Sequence, residues 1–133
     1  MTIYVSEQQL YRCFGALVQR IEVVDSTATD TLLRSQIAIR FRCSEPAAVM
    51  TIDARRRPLQ IAFGASDIQP QVDIALSADT LHKVLLGELS LTKAIGSNQL
   101  KPTGPIWKTI ALGPLLDRAK TVYPQILKEC GVV

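Results

Sequence analysis

Two hydrophobic periods alternate along this chain. Leu10, Phe14, Leu17, Val18 and Ile21 recur at helical spacing, while Gln9, Arg12, Gln19 and Arg20 lie mainly off that stripe. Ser6 precedes the run as an N-cap, and Glu7 sits at the positive end of the helix dipole. Such a helix lays its apolar face on a sheet, and Phe14 and Leu17 on that face are candidates to border a ligand. Residues 25–30, DSTATD, read as a polar linker leading into a helical turn through Arg34. The period then changes to two. Ile37, Ile39, Phe41 and Cys43 alternate with Ala38, Arg40 and Arg42, which predicts a strand with one dry and one wet face. Residues 47–53 read as a second strand, and Leu59, Ile61 and Phe63 mark a third. Short links between them imply an antiparallel meander. Residues 64–70 are polar and long enough to cross over before a fourth strand at Val72, Ile74 and Leu76. Arg40, Arg42, Gln60 and Asp73 collect on the wet face.

The stretch from Val72 to Trp107 organises the rest. Its strand runs into a helix capped by Ser77, with Leu81, Val84 and Leu85 as an apolar stripe and Gly87 as the stop. Ser90 opens a shorter helical turn through Ala94 and Ile95, closed by Gly96. A brief extended piece surrounds Leu100. Pro105 then starts a helix carrying Ile106, Trp107 and Ile110, which Gly113 and Pro114 interrupt. Leu115, Leu116 and Ala119 resume the pattern, and Tyr123, Pro124, Ile126 and Leu127 suggest one more short helix. These segments all want the same sheet face. They either pack as a solid core or leave an apolar tunnel, which a lipid can fill because each buried methylene contributes about 0.8 kcal/mol.

At 133 residues the chain reads as one domain, 1–133, large enough for a full core. Hydrophobic residues are 47% and charged residues 20%, which argues against disorder. Aromatics are only 5%, so the interior must be mainly aliphatic. The net charge of +3 is scattered, and stacking platforms are few, which argues against nucleic acid as a partner. Cys13, Cys43 and Cys130 have neither metal nor disulfide-framework spacing and read as free thiols of a reducing compartment. No signal peptide, spanning segment or Ser-Lys-Leu tail is legible, so a cytoplasmic location is expected.

Candidate chemistry is sparse. The single histidine, His82, lies off the Leu81–Leu85 stripe and reads as solvated helix surface. Asp79 fits a helix first turn and Asp73 a wet strand face, so the two are not read as an acid–base pair. The glycines between Gly96 and Gly104 lack phosphate-loop spacing. Arg55, Arg56 and Arg57 read as a solvated turn, with attraction to an anionic membrane surface as the alternative.

The segment DIALSADTLHKVLLGELSLTKAIGSNQLKPTG, continued by PIWKTIALGPLLDRAKTVYPQIL, resembles the sterol carrier protein 2 family of lipid-binding domains. It shares a polar-flanked strand, a short helix ending in Leu-Gly, a second short helix and a Gly-x-Leu-Lys-x-x-Gly-like strand. The resemblance implies an α+β fold: a five-stranded mixed sheet in the order α-β3-crossover-β-α-β, with helices over one face enclosing an apolar tunnel for a sterol, fatty acid, acyl-CoA or phospholipid. It implies no cofactor and no catalysis. By position, Leu81, Val84 and Leu85 match the helix over the tunnel and Leu100 the last strand. Trp107, Ile110, Leu115 and Leu116 match a C-terminal lid. Pro102 departs from a regular strand and predicts an edge or shortened one. Two other readings stay open. One is an accessory domain presenting a lipophilic intermediate to a partner enzyme. The other is a small cavity enzyme, an isomerase or cyclase, for which Tyr123, Glu88 and Asp117 are the ionisable candidates. The partners expected are a lipid or sterol-like molecule, transient contact with a membrane surface, and a partner enzyme.

Overall fold

The computed structural model describes residues 2–56 and 58–132, the side chain of Ile106 excepted. Arg57, the third member of the arginine cluster, therefore lies outside the described residues. Helix α1 (Glu7–Val24) opens where expected: Ser6 Oγ accepts from the Gln9 N–H at 3.1 Å. It buries Leu10, Cys13, Phe14, Leu17, Val18 and Ile21. Each such side chain contributes about 1.5–3 kcal/mol before chain entropy is subtracted. The supposed polar linker is instead a second helix, α2 (Thr27–Ser35). Ala28, Thr29, Leu32 and Leu33 point inward, and Thr29 returns its hydroxyl to the Ser26 carbonyl at 2.9 Å. Packing against α1 supplies what weak helix formers lack.

The sheet follows as β1 (Ala38–Ser44), β2 (Ala48–Asp53), β3 (Gln60–Phe63) and β4 (Val72–Ser77). Helices α3 (Ala78–Leu86) and α4 (Leu91–Gly96) come next, then β5 (Leu100–Thr103), α5 (Ile106–Ile110) and α6 (Gly113–Glu129). The spatial order is β3-β2-β1-β4-β5, with β1 and β4 parallel and every other pair antiparallel. This is the expected α+β architecture on a mixed sheet. The parallel β1–β4 pair requires the crossover, because parallel strands cannot be joined by a hairpin.

Register separates the two faces. Ile39, Phe41, Met50, Ile52, Ile74 and Leu76 are buried on the helix side. On the other side Asp73 lies between two arginines. Arg40 Nε donates to Oδ2 at 2.9 Å and Arg42 Nε to Oδ1 at 2.7 Å. Burial raises the Asp73 carboxyl, but the hydrogen bonds from Arg42 and Arg40 outweigh it and hold it below the ordinary range. Both arginines are more than a third exposed or close to it, so water screens the pairs and each adds little.

Pro102 sits in β5, opposite Ile74, at the edge of the sheet where a missing N–H is tolerated. Gly104 follows with φ +119°, and a Cβ there would stand 2.4 Å from the Gln71 carbonyl oxygen. The last glycine of the Gly-x-Leu-Lys-x-x-Gly-like stretch is thus required by a close backbone approach.

Gly113 and Pro114 do separate two helices, but Pro114 occupies the first turn of α6, where it fits. No further helix begins at Tyr123. Helix α6 runs through Pro124 to Glu129, held by Tyr123, Ile126 and Leu127 buried on its inner face. Among the described residues, no helix is long and apolar enough to cross a membrane.

Candidate functional site

The seam where α3, α4 and α6 meet contains an apolar recess of about 140 Å³. Val84 and Gly87 come from the end of α3, and Leu89, Ser90 and Leu91 from the link into α4. Gly113, Leu116, Asp117 and Lys120 come from α6. Local rules place these walls. Ser77 Oγ accepts from the Thr80 N–H at 3.0 Å and starts α3; Gly87, at φ +81°, ends it. Three residues later Ser90 caps α4 by accepting from the Lys93 N–H at 3.1 Å. The short turn between the two caps presents Leu89 and Leu91 to α6. Lys120 stands on the rim, 3.7 Å from Asp117. A larger depression of about 630 Å³ beside Ser90, Lys93 and Ser97 is open surface rather than an enclosed site.

Of the residues matched to a lipid site, Val84 and Leu116 line this recess. Phe14, Leu17, Leu81, Leu85, Leu100 and Leu115 are buried in the hydrophobic core. Trp107 and Ile110 do neither: they are 65% and 59% exposed on α5.

His82 does not sit on solvated surface as its position off the stripe suggests. It is half-buried, and its Nδ1 lies 2.8 Å from the Tyr123 hydroxyl. That hydroxyl also hydrogen-bonds the Tyr4 hydroxyl. Tyr4 and Tyr123 both pack edge-on to the imidazole, at 6.3 and 5.5 Å between centroids. Burial lowers the basicity of His82, against the opposing charges of Glu88 and Asp79. The Tyr123 hydroxyl thus bridges the imidazole and the Tyr4 hydroxyl. The Ile3 N–H donates to Asp79 Oδ1 at 3.0 Å, so the N-terminal segment is fastened to α3 beside this chain of hydroxyls. The sequence held one signal for it. Tyr123 shares its helix face with Ala119, Ile126 and Leu127, and a buried phenol needs a partner.

The ionisable candidates for cavity catalysis are not brought together. Glu88 and Asp117 are exposed. Tyr123 is buried with its phenol engaged, and burial pushes its ionisation well above the ordinary range. The Cys13 and Cys43 thiols are likewise pushed up to about 12, chiefly by burial. Among the described residues, no group of His, Cys, Asp and Glu is placed to hold a metal ion.

The fold has clear relatives among solved structures. The sterol carrier protein domain 2 of Helicoverpa armigera superposes with a TM-score of 0.67 at 15% identity, covering 85% of this chain and 89% of that one. Sterol carrier protein 2 from Aedes aegypti, determined in complex with palmitate, gives 0.57 at 15% identity, covering 81% and 94%. The ubiquinone synthesis protein UbiJ-SCP2 gives 0.57 at 21% identity, covering 71% and 75%. Comparison with curated protein sequences finds no match. The sequence model of the SCP-2 sterol transfer family matches residues 17–117, three quarters of the chain from within α1 into α6, and the protein belongs to that family.

Proposed function

We propose that this protein is a non-catalytic carrier of a hydrophobic ligand (a fatty acid, acyl-CoA, sterol or related lipid), bound where α3, α4 and α6 meet. The observation that carries this reading is the recess walled by Val84, Leu89, Leu91 and Leu116. At about 140 Å³ it is smaller than the roughly 300–1,000 Å³ of most ligand pockets. A ligand therefore enters by widening the seam. The element that moves most cheaply is α4, which has six residues and buries only Ala94 fully. Widening would add Leu81, Leu85 and Leu115 to the walls, with Phe14 and Leu17 deeper and Leu100, Trp107 and Ile110 towards the mouth. Lys120, loosely paired with Asp117 on the rim, is the cation available to an acyl carboxylate. Family membership and the fold shared with the palmitate-bound Aedes aegypti protein support the same reading.

Native mass spectrometry of the purified protein with palmitate, an acyl-CoA and a sterol tests it. A one-to-one complex with at least one of them is expected. Ligand at about 100 times Kd adds roughly 2.7 kcal/mol of stability. No complex and no thermal shift with any of the three would refute the reading.

A second reading is favoured by the fold shared with UbiJ-SCP2, a ubiquinone synthesis protein. Here the chain presents a lipophilic intermediate to a partner enzyme. Co-purification of a biosynthetic enzyme, together with failed binding of free lipids, would support it over the first.

A further inference from the structure

The exposed apolar side chains of α5 do not line the recess as it stands. Trp107 and Ile110 are 65% and 59% exposed, and their i, i+3 spacing puts them on one side of the helix. Lys108 Nζ lies 5.4 Å from the centre of the Trp107 ring. The chain around them is one-signed: residues 89–116 hold Lys93, Lys101 and Lys108 and no Asp or Glu. None of the three lysines forms an ion pair among the described residues. Helices α4 and α5 both pack on β5, so these lysines come from three adjoining elements at the β5 edge of the sheet, with Lys101 on the strand's wet face near Arg42. By contrast Arg55, in the cluster first considered for membranes, is neutralised by Asp53, with Nε 2.9 Å from Oδ1. Thr109, on the inner side of α5, is buried, and its hydroxyl has no hydrogen-bond partner among the described residues, which costs free energy where the helix meets the body.

We propose that the α4–β5–α5 edge is a docking face for an anionic lipid bilayer, with Trp107 and Ile110 entering the interface and Lys93, Lys101 and Lys108 lying over the headgroups. A tryptophan flanked by lysines suits that zone: the indole is amphipathic, and the long lysine stems reach phosphates from an apolar base. The face adjoins the recess, since Gly113 at the start of α6 and Leu91 at the start of α4 line it. The inference deepens the carrier reading and rests on it for its purpose: cargo would pass between bilayer and seam as α5 shifts.

Trp107 is the only tryptophan, so its emission reports this face alone. The full chain is mixed with vesicles of phosphatidylcholine, or of equimolar phosphatidylcholine and phosphatidylserine. The anionic vesicles should shift the emission to the blue and shield it from acrylamide, reversibly with salt. Lys108→Glu and Lys101→Glu should each weaken binding about fivefold or more. Ile110→Ser should weaken it without altering the melting temperature. Unchanged emission on anionic vesicles overturns the proposal, and so does binding lost in Arg55→Glu but kept in the lysine variants. A blue-shifted, dimeric protein without vesicles would assign the face to a second copy and overturn it too. Binding of palmitate, an acyl-CoA and a sterol measured in parallel separates the two claims. Docking without binding of palmitate, an acyl-CoA or a sterol defeats the carrier reading; binding of any of the three without docking defeats this one.

Discussion

The hydroxyl of Tyr123 on α6 lies 2.8 Å from Nδ1 of His82 on α3, joining two helices through residues 41 apart in sequence. The same hydroxyl meets that of Tyr4, so one atom ties α3, α6 and the N-terminal segment together. Tyr123→Phe removes it and leaves the buried Tyr4 hydroxyl without that partner. The expected loss is about 1–3 kcal/mol in urea unfolding, with an unchanged m-value. The Tyr4→Phe, Tyr123→Phe pair should cost less than the sum of the singles, because it strands no buried hydroxyl and leaves only the half-buried His82 Nδ1 without its partner.

His82 should also write itself into the pH dependence of stability. Burial sets its folded pKa below the ordinary 6.5. Above that value the ring is neutral in both states and contributes no slope. Below it the unfolded chain binds a proton that the folded chain resists, so stability falls until the folded pKa is reached. Asp25, Asp53, Asp73 and Glu129, all held below their ordinary values, lose their contributions only at lower pH. The melting temperature should therefore decline as the pH falls below about 6.5, and His82→Gln should flatten that first decline.

Much of this architecture was legible from local chemistry. The caps Ser6, Ser77 and Ser90 and the edge position of Pro102 follow from short-range rules, and the structure has them. What was illegible depended on distant partners. Helix α2 looked like a linker because Ser26, Thr27, Thr29 and Asp30 are weak helix formers, and only packing against α1 and α6 makes Leu32 and Leu33 decisive. Pro124 looked like a break, yet its side is exposed and the helix continues past it on its buried neighbours. The candidate site was half legible. The Leu81–Leu85 stripe marked the right helix, but which residues line a recess and which fill the core is set by how α6 crosses α3. No periodicity in one helix contains that.

Gly104 gives a sharper test of the β4–β5 edge. A Cβ at φ +119° would meet the Gln71 carbonyl oxygen at 2.4 Å, and that neighbour is backbone. Gly104→Ala should cost at least about 1–3 kcal/mol in urea unfolding and disturb the pairing of Asp73 with Thr103. Gly96→Ala is the contrast. It lies in α4 with nothing within 4 Å of its Cβ, so the change should be neutral or stabilise by up to about 1 kcal/mol.

The carrier reading turns on where a lipid goes. Titrating palmitate, an acyl-CoA and a sterol in turn into isotope-labelled protein and following backbone amide resonances tests that directly. The account predicts saturable shifts centred on Val84, Leu89, Leu91 and Leu116, spreading to Leu81, Leu85 and Leu115 as the seam widens. Saturable shifts clustered elsewhere, or none at excess of any of the three, would contradict it.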